Sequence, residues 1–423
     1  MIDRIRNNAF ARNSLILFAG TMAANFLGYV FHLVVGRMVS VEVYGEIESL
    51  ISLLAIISVP AAALTMVATK FSAECKADGD KAKNYNFFKL LNKKVFLVIL
   101  PIFLIAALMT PLFKSFLKIE DSLAIIAVWL IMIISFFSAI SGGILNGWQS
   151  FGKASWSAVG GALIKLVAAI ILIKLGFVLV GTMSSFFIGI LSSYLIALYF
   201  LRPIFQKSEK TNTINKSLNF QSVRNYIVPV FLGSLAITVL GNADMVLAKH
   251  NLDSQLAGQY GALTIVSKVI FFITGIVATV LFSMSAENNH KKNSSLSILK
   301  IAVFVTAIIS FGSIIFYFSF PNFVLGMLFG EKYSGAAHLL GWFSILVVLF
   351  SFVNLFFQYF LSIHKTKIVY VYLSVSVLEI AAILFVGNTI SAILIAVIIS
   401  QALALVISLI YLAKIHKNGL IKT

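Results

Sequence analysis

The chain has 423 residues, of which 60% are hydrophobic and 11% are charged, and its mean hydropathy is +1.01. This composition excludes a soluble globular protein, in which about 45–50% of residues are apolar. The formal net charge of +17 would suit a nucleic-acid-binding protein, but most of the basic residues fall between long apolar segments. Anionic lipid headgroups are the nearest partner there, so we expect membrane lipids and no nucleic acid as partners.

Twelve apolar stretches follow one another along the chain. A membrane-spanning helix needs about 20 predominantly apolar residues, whereas a membrane barrel would show alternating strands of about 10 residues. The pattern therefore predicts an all-α polytopic membrane protein with transmembrane helices at residues 14–36, 43–68, 95–113, 123–145, 155–174, 178–201, 226–247, 256–284, 298–319, 336–360, 367–386 and 389–413.

The basic residues distinguish the two sides of the membrane. The amino-terminal segment, the even-numbered loops and the carboxyl-terminal tail together hold 24 of the 32 lysines and arginines, and the odd-numbered loops hold six. Because positively charged loops are retained in the cytoplasm, this bias predicts that both termini are cytoplasmic.

The two halves of the sequence repeat each other at a distance of about 212 residues. At this offset the helix boundaries coincide and Arg12-Asn13 aligns with Arg224-Asn225, and one residue of slippage aligns Gly45 with Gly258. A repeat of six helices begins and ends on the same side, so the two copies have the same orientation. The sequence predicts an amino-terminal six-helix lobe at 1–201, a cytoplasmic linker at 202–224 and a carboxyl-terminal six-helix lobe at 225–423.

Two local features predict details of the helices. Pro60 interrupts the second helix near its middle and predicts a kink there. Gly143 and Gly147, four residues apart at the end of the fourth helix, predict close packing against a neighbouring helix.

Several segments carry a family resemblance. The first helix opens with Arg12-Asn13-Ser14 and ends in the run 36–45, the seventh ends in the run 244–249 followed by 257–260, and the run 147–153 enters the fifth helix. The sequence resembles the polysaccharide-biosynthesis (oligosaccharide and O-antigen-type) flippase family of the multidrug/oligosaccharidyl-lipid/polysaccharide exporter superfamily. The resemblance covers nearly the whole chain.

The resemblance implies a V-shaped pair of parallel six-helix lobes, as in the multidrug and toxin extruders (MATE). It also implies a flippase that moves polyprenyl-pyrophosphate-linked oligosaccharide from the cytoplasmic to the outer leaflet of the plasma (inner) membrane by alternating access. The expected partner is therefore this lipid-linked glycan, and we expect a monomer that is not an enzyme.

Three charged residues lie near the middle of predicted helices. Lys165, Lys268 and Glu379 each lie about ten residues or more from a helix end. A central charge costs about 2.5–3.5 kcal/mol on insertion scales, so such residues usually face a cavity or a partner. The functional interpretation makes Lys165 and Lys268 ligands of a pyrophosphate in a central cleft, with Glu379 as counter-ion or protonation switch. The alternative is an internal ion pair such as Lys268 with Glu379.

Polar residues at other depths have two interpretations each. Asn25 in the first helix could hydrogen-bond sugar hydroxyls in the cleft, or bond to another helix, and the same holds for the deep amides Asn146, Asn354, Gln358 and Gln401. Near the outer surface, Arg37, Asp244 and Lys249 could form a gate of ion pairs that break and re-form, or could be ordinary interfacial charges.

Other functions stay open at this stage. A cation-coupled MATE-type multidrug antiporter would often have an acidic residue deep in the first or seventh helix. A lipid II flippase would typically have fourteen helices, with basic residues inside the first helix, where this chain has Asn25. A membrane-embedded glycan polymerase or transferase would need a large outer loop or paired metal-binding acids. The run 147–153 resembles half of a phosphate-binding loop but is followed by Ala154 and joins two membrane helices, which excludes an ATP site there. We expect no cofactor and no metal centre, while coupling to H⁺ or Na⁺ stays open.

Overall fold

A computed structural model of the chain describes residues 9–205, 220–290 and 294–417, and within these residues every regular element is helical. The α-helices are α1 (Ala9–Met38), α2 (Val41–Ile57), α3 (Val59–Ala77), α4 (Lys81–Leu108), α5 (Thr110–Leu117), α6 (Ser122–Gly147), α7 (Phe151–Lys174), α8 (Leu179–Leu201), α9 (Phe220–Leu240), α10 (Ala243–Asn251), α11 (Ser254–His290), α12 (Leu296–Ser319), α13 (Pro321–Phe329), α14 (Leu340–Ser362), α15 (Ile368–Val386) and α16 (Ile390–Lys417). A 3₁₀ helix, Glu331–Leu339, precedes α14.

The predicted all-α membrane architecture is confirmed. Within the described residues, eleven helical segments are long and apolar enough to cross a membrane, and twelve when α2 and α3 are counted as one bent segment. The observed helices overlap all twelve predicted ones. The cytoplasmic location of the termini stays a prediction.

Breaks divide the predicted transmembrane helix 95–113, at Met109 between α4 and α5, and two others. α2 and α3 meet at Ser58 with an angle of 42° between them, and Pro60 lies in the first turn of α3. Because proline lacks an amide N–H and clashes with the preceding turn, it is tolerated there and not in a helix interior. The predicted kink is therefore confirmed. The break at Gly241-Asn242 between α9 and α10 carries no proline and was not predicted.

Two short helices support the internal repeat. α5 follows α4 and has Pro111 in its first turn, and α13 follows α12 and begins at Pro321. The two prolines are separated by 210 residues, close to the repeat distance in the sequence. Each copy thus ends its third long helix in the same way.

The contacts divide the chain into two units, one of residues 1–39 and 57–220 and the other of residues 40–56 and 221–423. The helix α2 therefore packs within the second unit, although the predicted lobe boundary assigns it to the first. Its Tyr44 ring lies edge-on to Phe329 and Tyr333, with centroids 5.3 and 6.0 Å away. Most of the predicted linker, 206–219, lies outside the described residues, and the lobe boundaries stay a prediction.

Small residues allow close helix crossings in both units. In the first unit, a Cβ on Gly143 would lie 2.6 Å from the Thr65 carbonyl oxygen, and Gly147 is equally close to α3, so the predicted close packing is confirmed. In the second unit, α2 crosses α11 at Gly45 and Gly258, where a Cβ on Gly45 would lie 2.7 Å from the Gly258 nitrogen. The two glycines that align in the sequence repeat thus meet each other at one crossing.

Candidate functional site

Lys165 of α7 is held between two aromatic rings of the first unit. Its Nζ lies 4.5 Å from the centroid of Phe31 on α1 and 4.4 Å from that of Phe186 on α8, and the two rings meet edge-on at 5.0 Å. Gly189 permits this arrangement, because a Cβ there would lie 2.6 Å from the Lys165 Cβ. Ring faces attract a cation with about 0.5–2 kcal/mol per contact but carry no net charge. The two rings therefore position the ammonium.

The acidic residues of the first unit lie away from the middle of α7. Within its described part they occur only near helix ends, at Glu74, Asp78, Asp80, Glu120 and Asp121. Asp80 and Asp121 accept backbone N–H groups as helix caps, and Asp78 pairs with Lys83 at 2.9 Å. The described part of this unit therefore has no acidic residue in the middle of a helix.

A polar cavity lies elsewhere in the first unit. Its volume is about 210 Å³, and hydroxyl and amide side chains line much of it: Thr21, Ser138, Asn146, Ser155, Ser157 and Ser193. Asn146 Oδ1 is buried and has no hydrogen-bond partner among the described residues. Small-molecule sites typically measure about 300–1,000 Å³, so this cavity is the size of a subsite for part of a ligand.

The break between α9 and α10 positions polar groups in the second unit. α9 ends at Leu240, and Asn242 turns its side chain back to donate to the Thr238 carbonyl at 2.9 Å. The break exposes the carboxyl end of α9, whose last carbonyls have no partner in the helix. Leu240 O accepts a hydrogen bond from Gln401 Nε2 of α16 at 2.8 Å.

Two buried carboxylates lie next to this break. Asp244 of α10 is 4% exposed and accepts from the Tyr260 hydroxyl at 2.8 Å, and Glu379 of α15 is 0% exposed and accepts from Gln401 Nε2 at 3.1 Å. Asp244 lines the small cavity that Leu240 also lines, and Gln401 Nε2 bonds to both the Leu240 carbonyl and Glu379. The structure thus places both Asp244, predicted in the outer gate, and Glu379, predicted in the cleft, beside the end of α9.

Lys268 of α11 also reaches the break. Its Nζ donates to Asn242 Oδ1 at 3.3 Å, and it lines a small cavity with Asp244 and Thr264. Among the described residues, no salt bridge within 4 Å joins Lys268 to Glu379, so the proposed alternative of that ion pair is not observed. Lys268 and Lys165 belong to different units, and a pyrophosphate site formed by both stays a prediction.

The remaining predicted residues lie at other positions. Lys249 of α10 is 1% exposed, lies 3.6 Å from Glu46 Oε1 of α2 and donates to Ser254 Oγ at 3.2 Å. Arg37 and Asn25 are exposed side chains of α1. A gate formed by Arg37, Asp244 and Lys249 stays a prediction, as does a role for Asn25 in substrate binding.

Sequence reasoning missed the aromatic partners of Lys165 and the hydroxyl partner of Asp244. Phe31 and Phe186 are two of 38 phenylalanines and carry no pattern that marks them. Tyr260 was noticed only as part of a family motif. A signal was present for Gln401, because an amide in the middle of an apolar helix needs a partner.

The sequence matches a known family over most of its length. The family profile described as polysaccharide biosynthesis protein matches residues 10–288. The chain belongs to this family. No curated protein matches the sequence.

Solved structures of the same fold come from a wider superfamily of transporters. An inward-facing multidrug-resistance MATE family transporter of the MOP superfamily is similar with a TM-score of 0.74 and 14% identity, over 95% of this chain and 99% of that one. An outward-facing transporter of that family gives 0.63 and 15%, over 94% of both chains. A MOP superfamily transporter from Pyrococcus furiosus, described as having a binding pocket of reverse polarity, gives 0.61 and 16%, over 97% and 95%. The polysaccharide-family member described above therefore has the MATE-like fold.

Proposed function

We propose that this membrane transporter is a flippase that moves polyprenyl-pyrophosphate-linked oligosaccharide from the cytoplasmic to the outer leaflet of the plasma membrane. The family membership supports a role in polysaccharide biosynthesis, and the known neighbours in family and fold are transporters, not enzymes. The observation that supports an anionic substrate is the position of Lys165. Its ammonium group lies inside the first unit, between Phe31 and Phe186.

The aromatic contacts of Lys165 suit an anion that must bind and then leave. Phenylalanine rings on either side limit the number of conformations of the lysine side chain, which lowers the entropy lost when an anion binds to it. A cation that is positioned in advance therefore favours a headgroup with a delocalised negative charge.

The polar cavity of the first unit supports the sugar part of the substrate. Its serine, threonine and asparagine side chains can both donate and accept hydrogen bonds, as sugar hydroxyls require, and carry no charge. The unpaired Asn146 Oδ1 is an acceptor that a sugar hydroxyl could satisfy. We assign one sugar ring of the glycan to this cavity.

The membrane potential would assist this direction of transport. With both termini in the cytoplasm, as we propose, an anionic headgroup moves outward in the direction that an inside-negative potential favours, by about 2.3 kcal/mol per charge per 100 mV. The transport cycle therefore needs no ATP.

The test is a flipping assay in proteoliposomes loaded with a fluorescent polyprenyl-pyrophosphate-linked oligosaccharide. Lys165→Gln should lower the rate at least tenfold, and Lys165→Arg should retain more activity because it keeps the charge. Lys174→Gln, an exposed lysine at the end of the same helix, is the matched control and should transport as the unmodified protein does. Normal flipping by Lys165→Gln would show that this lysine has only a structural role.

A second candidate function is cation-coupled export of a multidrug type. The buried Asp244 and Glu379 of the second unit favour it, because acidic sites suit cationic substrates or coupling ions. Inside-out vesicles containing the protein separate the two functions. A flippase flips the lipid-linked glycan and accumulates no cationic dye, whereas an antiporter accumulates the dye and leaves the glycan in place.

A further inference from the structure

We propose that the glycan carried by this protein contains a negatively charged sugar residue, and that Lys153 of α7 binds that charge. The inference rests on the proposed transport of a lipid-linked oligosaccharide. It adds a second cationic contact to the one assigned to Lys165. Both lysines belong to the first unit, and the polar cavity of that unit lies between them along α7 and α8.

Three side chains of α8 face α7 at regular intervals. Phe186, Ser193 and Phe200 follow one another at a spacing of seven residues. Seven residues make almost two helical turns, so the three side chains lie on one face of α8, each about 10 Å from the next along the axis. Each of the three contacts α7.

The partners on α7 are two lysines with a serine between them. Lys153 Nζ lies 6.0 Å from the centroid of the Phe200 ring. Ser157 Oγ donates to the Ser193 carbonyl at 2.6 Å and lies 3.1 Å from Ser193 Oγ. At the far end of the row, Lys165 has the ring contact described above. The two helices thus present an ammonium beside a phenylalanine on either side of a hydroxyl pair.

Two glycines fix the register of this row. A Cβ on Gly161 of α7 would lie 2.7 Å from the Gly189 carbonyl oxygen of α8. The two backbones are therefore in close contact between the serine pair and Lys165. Because packed helices are not freely deformable, the distance between the two lysines is set by the helices and not by a loop.

The ammonium of Lys153 is available to an anion. The side chain is half-buried, and among the described residues no salt bridge within 4 Å joins it to an acidic group. Two acidic side chains of the turn between α3 and α4 are engaged by Lys83: Asp78 pairs with its Nζ at 2.9 Å, and Asp80 accepts its backbone N–H. A ring contact at 6.0 Å is at the outer limit for a cation, so it positions Lys153 only weakly.

The two lysines are too far apart for one pyrophosphate. Their ring partners Phe186 and Phe200 are separated along α8 by about 20 Å. The two phosphate groups of a pyrophosphate share a bridging oxygen and span much less than this distance. With the pyrophosphate at Lys165, an anion at Lys153 must therefore belong to another part of the substrate. The glycan is that part, because the hydroxyl-lined cavity between the two lysines is assigned to one of its rings.

The chemistry of lysine selects a charge at this position. An ammonium donates three hydrogen bonds and accepts none, so it pairs best with an anionic acceptor. The carboxylate of a hexuronic acid and a phosphate ester on a hexose both provide one. A neutral sugar would form weaker hydrogen bonds and leave the positive charge uncompensated. The property that Lys153 recognises is therefore negative charge on the sugar.

The experiment compares three lipid-linked oligosaccharides of equal length in the proteoliposome flipping assay, at the same low concentration. Their sugar farthest from the pyrophosphate is a hexuronic acid, a hexose phosphate or the neutral hexose. The unmodified protein should flip at least one acidic compound about fivefold faster than the neutral one, as one partly exposed ion pair allows. The acidic compound with the larger ratio identifies the anion. Lys153→Gln should flip all three at the same rate, and Lys153→Arg should restore the preference.

Two control variants separate this role from others. Lys89→Gln removes an exposed lysine of α4 at the same end of the unit, where the adjacent Phe88 ring lies 4.9 Å from that of Phe205, just after α8. It should keep the preference for the acidic compound, which excludes an effect of overall charge. Lys165→Gln should slow all three compounds and preserve the ratio between them, because each carries the same pyrophosphate.

The outcomes distinguish this proposal from the proposed function. Equal flipping of acidic and neutral compounds by the unmodified protein would overturn the proposal and leave the proposed function intact. Equal slowing of all compounds by Lys153→Gln would also overturn it, because Lys153 would then serve the pyrophosphate or the fold. Flipping of none of the compounds by the unmodified protein would refute the proposed function, and this proposal with it.

Discussion

The ion pair between Glu46 and Lys249 provides a quantitative test of how α2 packs. The pair joins α2 to α10 within the second unit, with 3.6 Å between Oε1 and Nζ. At an effective dielectric constant of 20, two unit charges at that distance attract by about 5 kcal/mol before the cost of desolvation. That cost is unequal, because Lys249 is 1% exposed and Glu46 is 19% exposed. Removing the glutamate leaves an enclosed ammonium, whereas removing the lysine leaves a carboxylate that water can reach.

We therefore expect unequal single effects and a coupling between them. Glu46→Gln should lower the free energy of unfolding by about 3 kcal/mol, and Lys249→Met by about 1–2 kcal/mol. The double variant should cost less than the two together by about 1–2 kcal/mol. The assay is reversible unfolding in mixed micelles with sodium dodecyl sulfate, with Lys174→Met as an exposed control. Additive effects within about 0.5 kcal/mol, or a larger effect of Lys249→Met, would refute this reasoning.

Two further predictions concern close contacts within each unit. Gly258→Ala should destabilise the protein by about 2 kcal/mol, because the new Cβ would overlap the Val41 carbonyl. Gly275→Ala, in the same helix, is the control: a Cβ there has no atom within 4 Å, so this variant should stabilise the protein by about 0.5–1 kcal/mol. Thermal unfolding of both variants checks this, and equal shifts would contradict the crossing. Phe186→Leu should slow glycan flipping several-fold, because Lys165 loses one ring contact. Phe186→Tyr keeps the ring and should not slow it. Equal flipping rates of these two variants in the proteoliposome assay would mean that the ring does not position the ammonium.

Much of the fold could be predicted from the sequence because it follows from local patterns. Long apolar runs must be helices in lipid, so the observed helices overlap all twelve predicted ones. The kink at Pro60 was predictable because proline acts through its own ring and missing donor. The break at Gly241-Asn242 was not, because neither residue forbids a helix in this context.

The candidate site was predictable in its charges and not in its contacts. Lys165, Lys268 and Glu379 were conspicuous because a charge in an apolar helix is rare. Their partners depend on which helix faces meet, and a single sequence does not contain that information. Asp244 illustrates the difference: its position in the chain suggested the membrane surface, whereas packing encloses it with Tyr260.

The assignment of α2 to the second unit has a consequence for dissecting the protein. The polypeptide passes between the units at about residues 39, 56 and 220, so a single cut in the segment 206–219 does not yield two complete pieces. The carboxyl-terminal fragment would lack Gly45, Tyr44 and Glu46, which fill its surface at Gly258, Phe329 and Lys249. The two fragments should therefore fold poorly when expressed separately and fold properly only when they are produced together. An isolated second unit that folds on its own would have to be a circularly permuted chain that includes residues 40–56.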